Sequence, residues 1–302
     1  MNLKRSLAAD AGLLAVTFVW GTTFIIVQNV LDKLTPLQFN AWRFLTAAII
    51  LTCWKMCFRG WRPVSARKSV RLIGSGLLLG TFLFIGYICQ TVGLLYTSAS
   101  NAAFITGLSV VLVPLFSIFI LKRTPGKAAL AGILLAAAGL FFLTTKGQFV
   151  INRGDLIVLV CAAAFALHII FTARVTEKYN SLSLTIIQLT AVALYSFAFG
   201  LPTDGLRILD ISALLEPDIV AVILFMGVFA TAFAYLFQTD LQKVTPATHV
   251  GLIFIMEPVF AAWTSVIIQH VILGKTELIG CTLILIGMLF AEWPSGKKRT
   301  EQ

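Results

Sequence analysis

The chain has 302 residues and a formal net charge of +10, with 59% hydrophobic and 12% charged residues. Its mean hydropathy is +0.94, whereas soluble domains are about half apolar and about a quarter charged. This composition excludes an ordinary soluble protein and predicts an integral membrane protein. The basic residues lie in short joints between apolar stretches, where they set topology, so the positive charge does not indicate a nucleic-acid partner.

Ten apolar segments follow one another along the chain, each close to the roughly 20 residues that an α-helix needs to cross a bilayer. We number them spans 1 to 10, and their predicted bounds are Ala8–Leu31, Pro36–Cys57, Val70–Gly93, Ser98–Leu121, Gly126–Thr145, Asp155–Arg174, Ser181–Leu201, Asp218–Gln238, Thr245–Gln269 and Thr276–Trp293. The joints between them are too short to hold a soluble catalytic domain. We therefore predict an all-α membrane protein with ten transmembrane helices.

The basic residues also predict the orientation of the spans. With the N-terminus inside, most of the 23 lysine and arginine residues fall in cytoplasmic joints, including the C-terminal run from Lys297 to Arg299. The positive-inside rule then predicts a multi-pass protein of the cell (inner) membrane with both termini in the cytoplasm. The first apolar run resembles a signal peptide, but it is too long and many spans follow it, so we interpret it as span 1.

An internal repeat divides the chain into residues 1–148, with spans 1 to 5, and residues 149–302, with spans 6 to 10. The same seven-residue spacing separates two glycines in span 5 and two in span 10, namely Gly132 and Gly139, and Gly280 and Gly287. Because each half has an odd number of spans, the second copy would insert upside down. Two inverted five-helix repeats predict a site near the membrane midplane between the halves.

Span 9 carries Glu257 near its midpoint and Pro258 directly after it. A carboxylate at that depth is costly unless it faces protein, water or a partner. Pro258 has no N–H for the carbonyl of Phe254, and Pro114 in span 4 likewise leaves the carbonyl of Val110 without a donor. Interrupted helices at corresponding places in two halves indicate the substrate path of a transporter. We therefore predict Pro114 and Pro258 as hinges.

Short motifs in order along the chain carry a family resemblance. They are Trp20-Gly21-Thr22-Thr23-Phe24 in span 1, Pro36 with Trp42-Arg43-Phe44 in span 2, Tyr96–Ala103 leading into Pro114, and Met256-Glu257-Pro258 in span 9. Over residues 8–293 the chain resembles the EamA-domain branch of the drug/metabolite transporter superfamily. The resemblance implies an inner-membrane carrier, in most cases an exporter of amino acids, metabolites or drugs. It also implies a central cavity lined by spans 1, 3, 4, 6, 8 and 9, with spans 5 and 10 outside.

The chain departs from the family pattern in one respect. Members often carry a glutamate shortly after helices 4 and 9, whereas the corresponding joints here read LKRTPGKAAL and HVILGKTELI. Glu277 is the one acid in these two joints, and it is displaced from the position that the family pattern gives the glutamate. The resemblance therefore does not assign a proton-coupling role to an acid in these joints.

The charged candidates each have two interpretations. Glu257 could carry a coupling proton or bind an amine-bearing substrate, or it could be a structural hinge residue bound to the carbonyls near Pro258. His249 precedes it by about 80° around an ideal helix, so both could face one cavity, but it could equally be a wetted interfacial histidine. Arg43 could receive a substrate carboxylate bidentately, or form a structural ion pair or a lipid headgroup contact.

The remaining candidates are mostly neutral. His168 could shuttle protons or hydrogen-bond a neighbouring helix. Gly76 and Gly80 form a GxxxG packing face in span 3. Cavity lining and interhelical packing predict the same residue types for the rest of the candidate site, which comprises Trp20, Thr22, Thr23, Tyr87, Gln90, Asn101, Thr106 and Tyr235.

The chain contains no Walker A motif, so a gradient of substrate or ion would supply the energy for transport. Its scattered histidines and unpaired cysteines form no catalytic or metal-ligand pattern, so we expect neither an enzyme nor a metal or other cofactor. We predict a secondary transporter that exports a small metabolite, amino acid or drug by alternating access, with Glu257 as the candidate for proton coupling.

Several alternatives stay open at this point. Within transport they are uptake and uncoupled facilitated diffusion, and outside transport they are an intramembrane enzyme and a structural membrane subunit. The expected partners are a small-molecule substrate, the lipid bilayer and, in the coupled case, protons, with no nucleic acid. A monomer and a homodimer fit the sequence equally.

Overall fold

The computed structural model describes residues 3–59, 66–120, 122, 126–145, 152–270 and 272–292, and over these residues the chain contains helices and no strand. The α-helices are α1 (Leu3–Gly21), α2 (Phe24–Val30), α3 (Pro36–Trp54), α4 (Ala66–Gly93), α5 (Ala99–Gly107), α6 (Ser109–Ile120), α7 (Lys127–Thr145), α8 (Arg153–Thr176), α9 (Ser181–Asp204), α10 (Pro217–Gly227), α11 (Ala234–Leu241), α12 (Ala247–Phe254), α13 (Glu257–Gln269) and α14 (Lys275–Glu292). Shorter turns complete the pattern, with π-helical turns at Lys55–Arg59 and Val228–Phe233 and 3₁₀ turns at Gly205–Leu209 and Ala213–Leu215.

Each predicted span coincides with one or more of these helices. Within the described residues, eight helical stretches are long and apolar enough to cross a membrane. The other two predicted spans correspond to α7, where Lys127–Leu143 is a shorter apolar helix, and to α14, which begins with Lys275 and carries Glu277 in its first turn. The all-helical membrane architecture is thus confirmed, and the count of ten crossings stays a prediction.

Within the described residues, three spans are broken near mid-length, and a fourth is widened there. Span 1 is interrupted at Thr22 and Thr23, span 4 at Leu108, and span 9 at Ile255 and Met256. In span 8 the π-helical turn joins α10 to α11 without a break. Mid-depth interruptions of this kind are tolerated only where protein or water, rather than lipid, faces the backbone.

The two predicted hinge prolines lie close to two of these breaks but not on them. Pro258 is the second residue of α13, a position where the helix does not need its N–H. The break of span 9 therefore falls just before the proline. Pro114 lies inside α6, six residues beyond the break at Leu108.

The most extensive helix–helix contact among the described residues joins α7 to α14. A Cβ on Gly139 would lie 2.6 Å from the carbonyl oxygen of Gly280, and a Cβ on Gly287 would lie 2.6 Å from that of Gly132. The later residue of each glycine pair thus meets the earlier residue of the other pair, as antiparallel helices require. The shared seven-residue spacing is therefore explained by direct backbone contact between the two helices.

Further close packing involves α4 and α9. α4 contacts α8 and α9, and α3 contacts α9 and α10. A Cβ on Gly76 would lie 2.5 Å from Cγ2 of Ile187, and one on Gly80 would lie 2.5 Å from Cβ of Ala191. This confirms the predicted GxxxG packing face, and its partner is α9.

Polar contacts join the two halves at the end of the bundle opposite the N-terminus. Nζ of Lys33, in the joint between α2 and α3, lies 2.6 Å from Glu216 and 2.8 Å from Asp218. The hydrogen bond to Asp218 and, to a smaller extent, the one to Glu216 raise the pKa of Lys33.

Thr35 caps the beginning of α3, because its hydroxyl accepts from the backbone N–H of Gln38 at 3.1 Å.

We predict that Gly280→Ala destabilises the protein, because the new Cβ would clash with the backbone nitrogen of Leu143. Overpacking of this kind costs about 1–3 kcal/mol of the free energy of unfolding. Gly74→Ala is the matched control, since its Cβ would have nothing within 4 Å. The measurement is thermal unfolding of both variants in detergent, and equal midpoints would contradict the close α7–α14 contact.

Candidate functional site

A cavity lies at the mid-length breaks, between helices from both halves of the chain. Its lining residues come from spans 1, 2, 3, 4, 6, 8 and 9, and they are Trp20, Thr23, Phe24, Val27, Arg43, Tyr87, Gln90, Leu94, Thr106, Gly107, Ser109, Phe165, His168, Ile169, Tyr235, Gln238, Phe254 and Glu257. These are the spans that the family resemblance implied, with span 2 added through Arg43. Among the described residues, α7 and α14 contribute nothing to the lining.

Most of the predicted site residues meet in this cavity. They are Trp20, Thr23, Arg43, Tyr87, Gln90, Thr106, His168, Tyr235 and Glu257. Polar and aromatic side chains that are far apart in the chain therefore converge on one cavity inside the bundle.

Three predicted site residues lie elsewhere. The Thr22 hydroxyl donates to the carbonyl of Val19 at 2.7 Å, and Asn101 lies half-buried in the first turns of α5. Nε2 of His249 lies 3.3 Å from the Asp10 carboxylate near the N-terminal end. The predicted angle between His249 and Glu257 assumed a continuous helix, and the break at Ile255 and Met256 interrupts it.

The apolar part of the lining was not among the site residues predicted from the sequence. Val27 follows Thr23 by four residues, Leu94 follows Gln90 by four, and Phe165 precedes His168 by three within α8. Residues at these spacings share one face of a helix. Helical spacing from the polar candidates was therefore the signal that could have found them, because composition alone does not separate cavity-facing from lipid-facing apolar side chains.

Arg43 is almost completely buried, with 3% of its surface exposed. Its Nε donates to the hydroxyl of Thr231 at 2.6 Å, and its Nη2 donates to the carbonyl of Ala230 at 3.3 Å. Cζ lies 4.8 Å from the ring centre of Tyr87 and 5.4 Å from that of Phe44. Within the described part of the chain, no acidic side chain lies within 4.0 Å of the guanidinium. Neutral groups and aromatic rings hold this cation, so its charge is available to an anionic ligand.

Glu257 is the first residue of α13, directly after the break of span 9, and its side chain lines the cavity half-buried. None of the described residues forms a hydrogen bond with its carboxyl group. The structural alternative, a carboxyl bound to the carbonyls near Pro258, is therefore not observed. The N-terminal end of a helix favours a negative charge, so this position suits a carboxylate that faces a ligand.

His168 belongs to a buried hydrogen-bond network. Its Nε2 lies 3.0 Å from Oε1 of Gln188 and 3.3 Å from the hydroxyl of Thr172. The Gln188 amide nitrogen donates to the hydroxyl of Thr239 at 3.2 Å. Because the amide nitrogen of Gln188 donates to Thr239, the amide oxygen of Gln188 faces His168. This oxygen favours a proton on Nε2 of His168, and Nδ1 is then left as an acceptor.

An aromatic wall completes the cavity. The ring centre of Trp20 lies 5.3 Å from that of Tyr235 and 5.1 Å from that of Phe254. The Tyr235 hydroxyl donates to that of Tyr87 at 2.8 Å, and the Trp20 indole N–H donates to the carbonyl of Ala230 at 2.8 Å. The polar ends of the rings are thus satisfied within the protein, and their faces remain for an apolar group.

A cluster of apolar residues packs on the N-terminal side of the cavity. Leu13, Val113, Ile170 and Val250, from four different helices, are fully buried in this cluster. In the other direction the lining extends through Val27 and Leu94 toward the opposite end of the bundle. The cavity is therefore separated from the N-terminal end by packed side chains.

The fold and this cavity define a polytopic helical membrane protein with a polar site in its interior. The sequence pattern of the EamA-like transporter family matches residues 7–145 and again residues 152–293. The chain belongs to the EamA-like transporter family. The resemblance found in the short motifs is thereby confirmed.

Relatives match across this length, and two of the following three are named as transporters. An uncharacterized transporter of Archaeoglobus fulgidus is 32% identical over 288 residues, which is 95% of this chain and 86% of the relative. The uncharacterized transporter YetK of Bacillus subtilis is 24% identical over 297 residues, covering 95% of this chain and 87% of its own. The chloroplastic WAT1-related protein At3g02690 of Arabidopsis thaliana is 22% identical over 303 residues, covering 94% and 69%.

The fold also matches that of a solved protein. A chain described as "Crystal structure of protein" superposes with a TM-score of 0.74 over 94% of this chain and 98% of that chain. The two sequences are 18% identical, so this likeness concerns the fold alone.

We predict that Gln188→Leu destabilises the protein, because His168 and Thr239 would lose their shared amide partner in buried surroundings. Leaving a buried polar group unsatisfied costs about 1–3 kcal/mol. Gln28→Leu, at an exposed position of α2, is the control and should leave stability unchanged. Thermal unfolding in detergent compares the two, and an equal shift in both variants would argue against the network.

Proposed function

We propose that this protein is a secondary transporter that exports a small metabolite across the cell (inner) membrane by alternating access. The observation that carries the proposal is the cavity at the helix breaks, which is lined by the buried Arg43 and by Glu257. Ionisable side chains are rare inside a membrane bundle and mark substrate or ion pathways. Membership of a transporter family supports the same conclusion.

The two opposite charges favour a substrate that carries both a carboxylate and an amine, as amino acids do. Arg43 would receive the carboxylate through guanidinium N–H groups, and Glu257 would receive the amine. The faces of Trp20 and Tyr235 would contact the apolar part of the same molecule. Each end of the substrate thus has a matching group in the cavity.

Alternating access would open this cavity to one side of the membrane at a time. We propose residues 1–148 and 149–302 as the two inverted halves, with Pro114 and Pro258 as hinges beside the breaks of spans 4 and 9. Rocking of one half against the other would open the apolar cluster around Leu13. The positive-inside bias supports cytoplasmic termini, and with that orientation the packed cluster faces the cytoplasm.

Glu257 is the candidate for proton coupling. Its carboxyl has no hydrogen-bond partner among the described residues, so a proton and a substrate amine would compete for the same group. Release of the amine on the outside would leave the carboxylate ready to accept a proton for the return step. Competition of this kind at one carboxylate is sufficient to couple the flux of the substrate to the flux of protons.

We predict that Glu257→Gln abolishes proton-coupled transport, because the amide can neither bind a proton in the physiological range nor neutralise an amine. The assay uses purified protein in liposomes, an imposed pH gradient and radiolabelled L-amino acids offered one at a time. Glu277→Gln is the matched control, since the Glu277 carboxylate accepts from the Gly274 N–H at 2.6 Å at the start of α14, away from the cavity. Unimpaired, pH-dependent transport by Glu257→Gln would reject the assignment.

The same liposomes separate the alternatives. Net flux in vesicles of defined orientation distinguishes export from uptake, and flux that ignores the pH gradient would indicate an uncoupled facilitative carrier. A structural subunit or an intramembrane enzyme would give no substrate flux in either orientation.

A further inference from the structure

The groups that hold Arg43 lie on one irregular turn of another helix. The π-helical turn Val228–Phe233 contains both Ala230, whose carbonyl accepts from Arg43 and from Trp20, and Thr231. The Thr231 hydroxyl donates to the carbonyl of Met226, five residues earlier, at 2.7 Å. A π-helical turn interrupts the regular hydrogen-bonding pattern of an α-helix and is frequent at functional sites.

A glycine lets α3 approach this turn. A Cβ on Gly227 would lie 2.9 Å from Cγ2 of Thr46 and 3.4 Å from the carbonyl oxygen of Arg43. The absence of a side chain at Gly227 therefore brings the backbone of α3 close to α10. This proximity puts the guanidinium of Arg43 within hydrogen-bond distance of the π-helical turn.

The directions of the two hydrogen bonds of the Thr231 hydroxyl are fixed. It is fully buried, and its single proton is used for Met226, so it can only accept from Nε of Arg43. Nε and Nη2 of Arg43 therefore donate to groups of the π-helical turn, whereas Nη1 forms no hydrogen bond with a described residue. Because Arg43 also lines the cavity, this arrangement leaves donors of the guanidinium for a ligand.

We propose that Thr231 is a positioning residue that determines the preference of the cavity for a carboxylate. It holds the guanidinium of Arg43 in the orientation that presents the remaining N–H donors to the substrate. The inference rests on the proposed function, because it takes the cavity to be the substrate site. Thr231 does not itself line the cavity, so its effect on binding must act through Arg43.

The test compares two substitutions of Thr231 that differ in the hydroxyl. Thr231→Val keeps the shape of the side chain and removes the hydroxyl, whereas Thr231→Ser retains it. The probes are L-amino acids and the corresponding L-amino acid amides, which differ in the carboxylate while the side chain and the α-amine are shared. Affinities are measured on purified protein by titration calorimetry, and the readout is the ratio of acid to amide affinity.

We expect the wild-type protein to prefer at least one amino acid over its amide. Thr231→Val should lower the affinity for that acid about tenfold, as expected for the loss of a well-placed hydrogen bond to a charged group, and leave the affinity for the amide unchanged. Thr231→Ser should retain the wild-type ratio. A merely structural role would instead lower the unfolding midpoint and weaken acid and amide equally.

Several results would overturn the inference. They are an unchanged ratio in Thr231→Val, an equal loss of both affinities, a serine variant that behaves like the valine variant, and a wild-type protein with no preference for any acid over its amide. Should Thr231→Val fail to fold, Thr231→Ala serves instead, because it also removes the hydroxyl that accepts from Nε of Arg43, and the ratio should fall in the same way.

The outcome is separable from that of the proposed function. Wild-type liposomes that transport an amino acid while Thr231→Val keeps its acid preference would reject the positioning role alone. Absence of amino-acid flux in wild-type liposomes would reject the proposed substrate class itself.

Discussion

Lipid offers no hydrogen-bond partner, so each polar group inside this bundle must find one within the protein or in the cavity. The guanidinium of Arg43 is subject to this constraint because it is charged and almost completely buried. Its bonded donors reach the hydroxyl of Thr231 and the carbonyl of Ala230, and the Trp20 indole shares that carbonyl. One widened turn of the eighth span therefore positions both the buried cation of the cavity and one of its largest aromatic rings.

The breaks of spans 1, 4 and 9 follow the same logic. Backbone groups left over at a break would be costly against lipid, and here the breaks lie beside the cavity. At the first break, the hydroxyl of Thr23 donates to the carbonyl of Trp20 at 2.7 Å, and that of Thr22 donates to Val19. The hydroxyl residues of this motif thus satisfy the backbone where the helix stops, and Thr23 also lines the cavity.

Much of the candidate site was predictable because polar side chains are conspicuous within apolar spans. Arg43, His168 and Glu257 were found in this way, and all three line the cavity. His249 was expected beside Glu257 on the assumption of a continuous helix, but the break at Ile255 and Met256 changes their angular relation. Helix continuity depends on packing against neighbouring helices. The sequence of span 9 therefore reveals the proline but not the position at which the helix breaks.

The sequence by itself determined the class of protein, the approximate limits of its helices and its family. These follow from local properties, because a span needs a fixed length of apolar residues and the family motifs are short. Only the tertiary structure decided that Arg43 meets Thr231, which lies 188 residues further along the chain, and that Glu257 lines the same cavity. Contacts between distant spans depend on how closely whole helices approach one another, and no single stretch of the sequence encodes that distance.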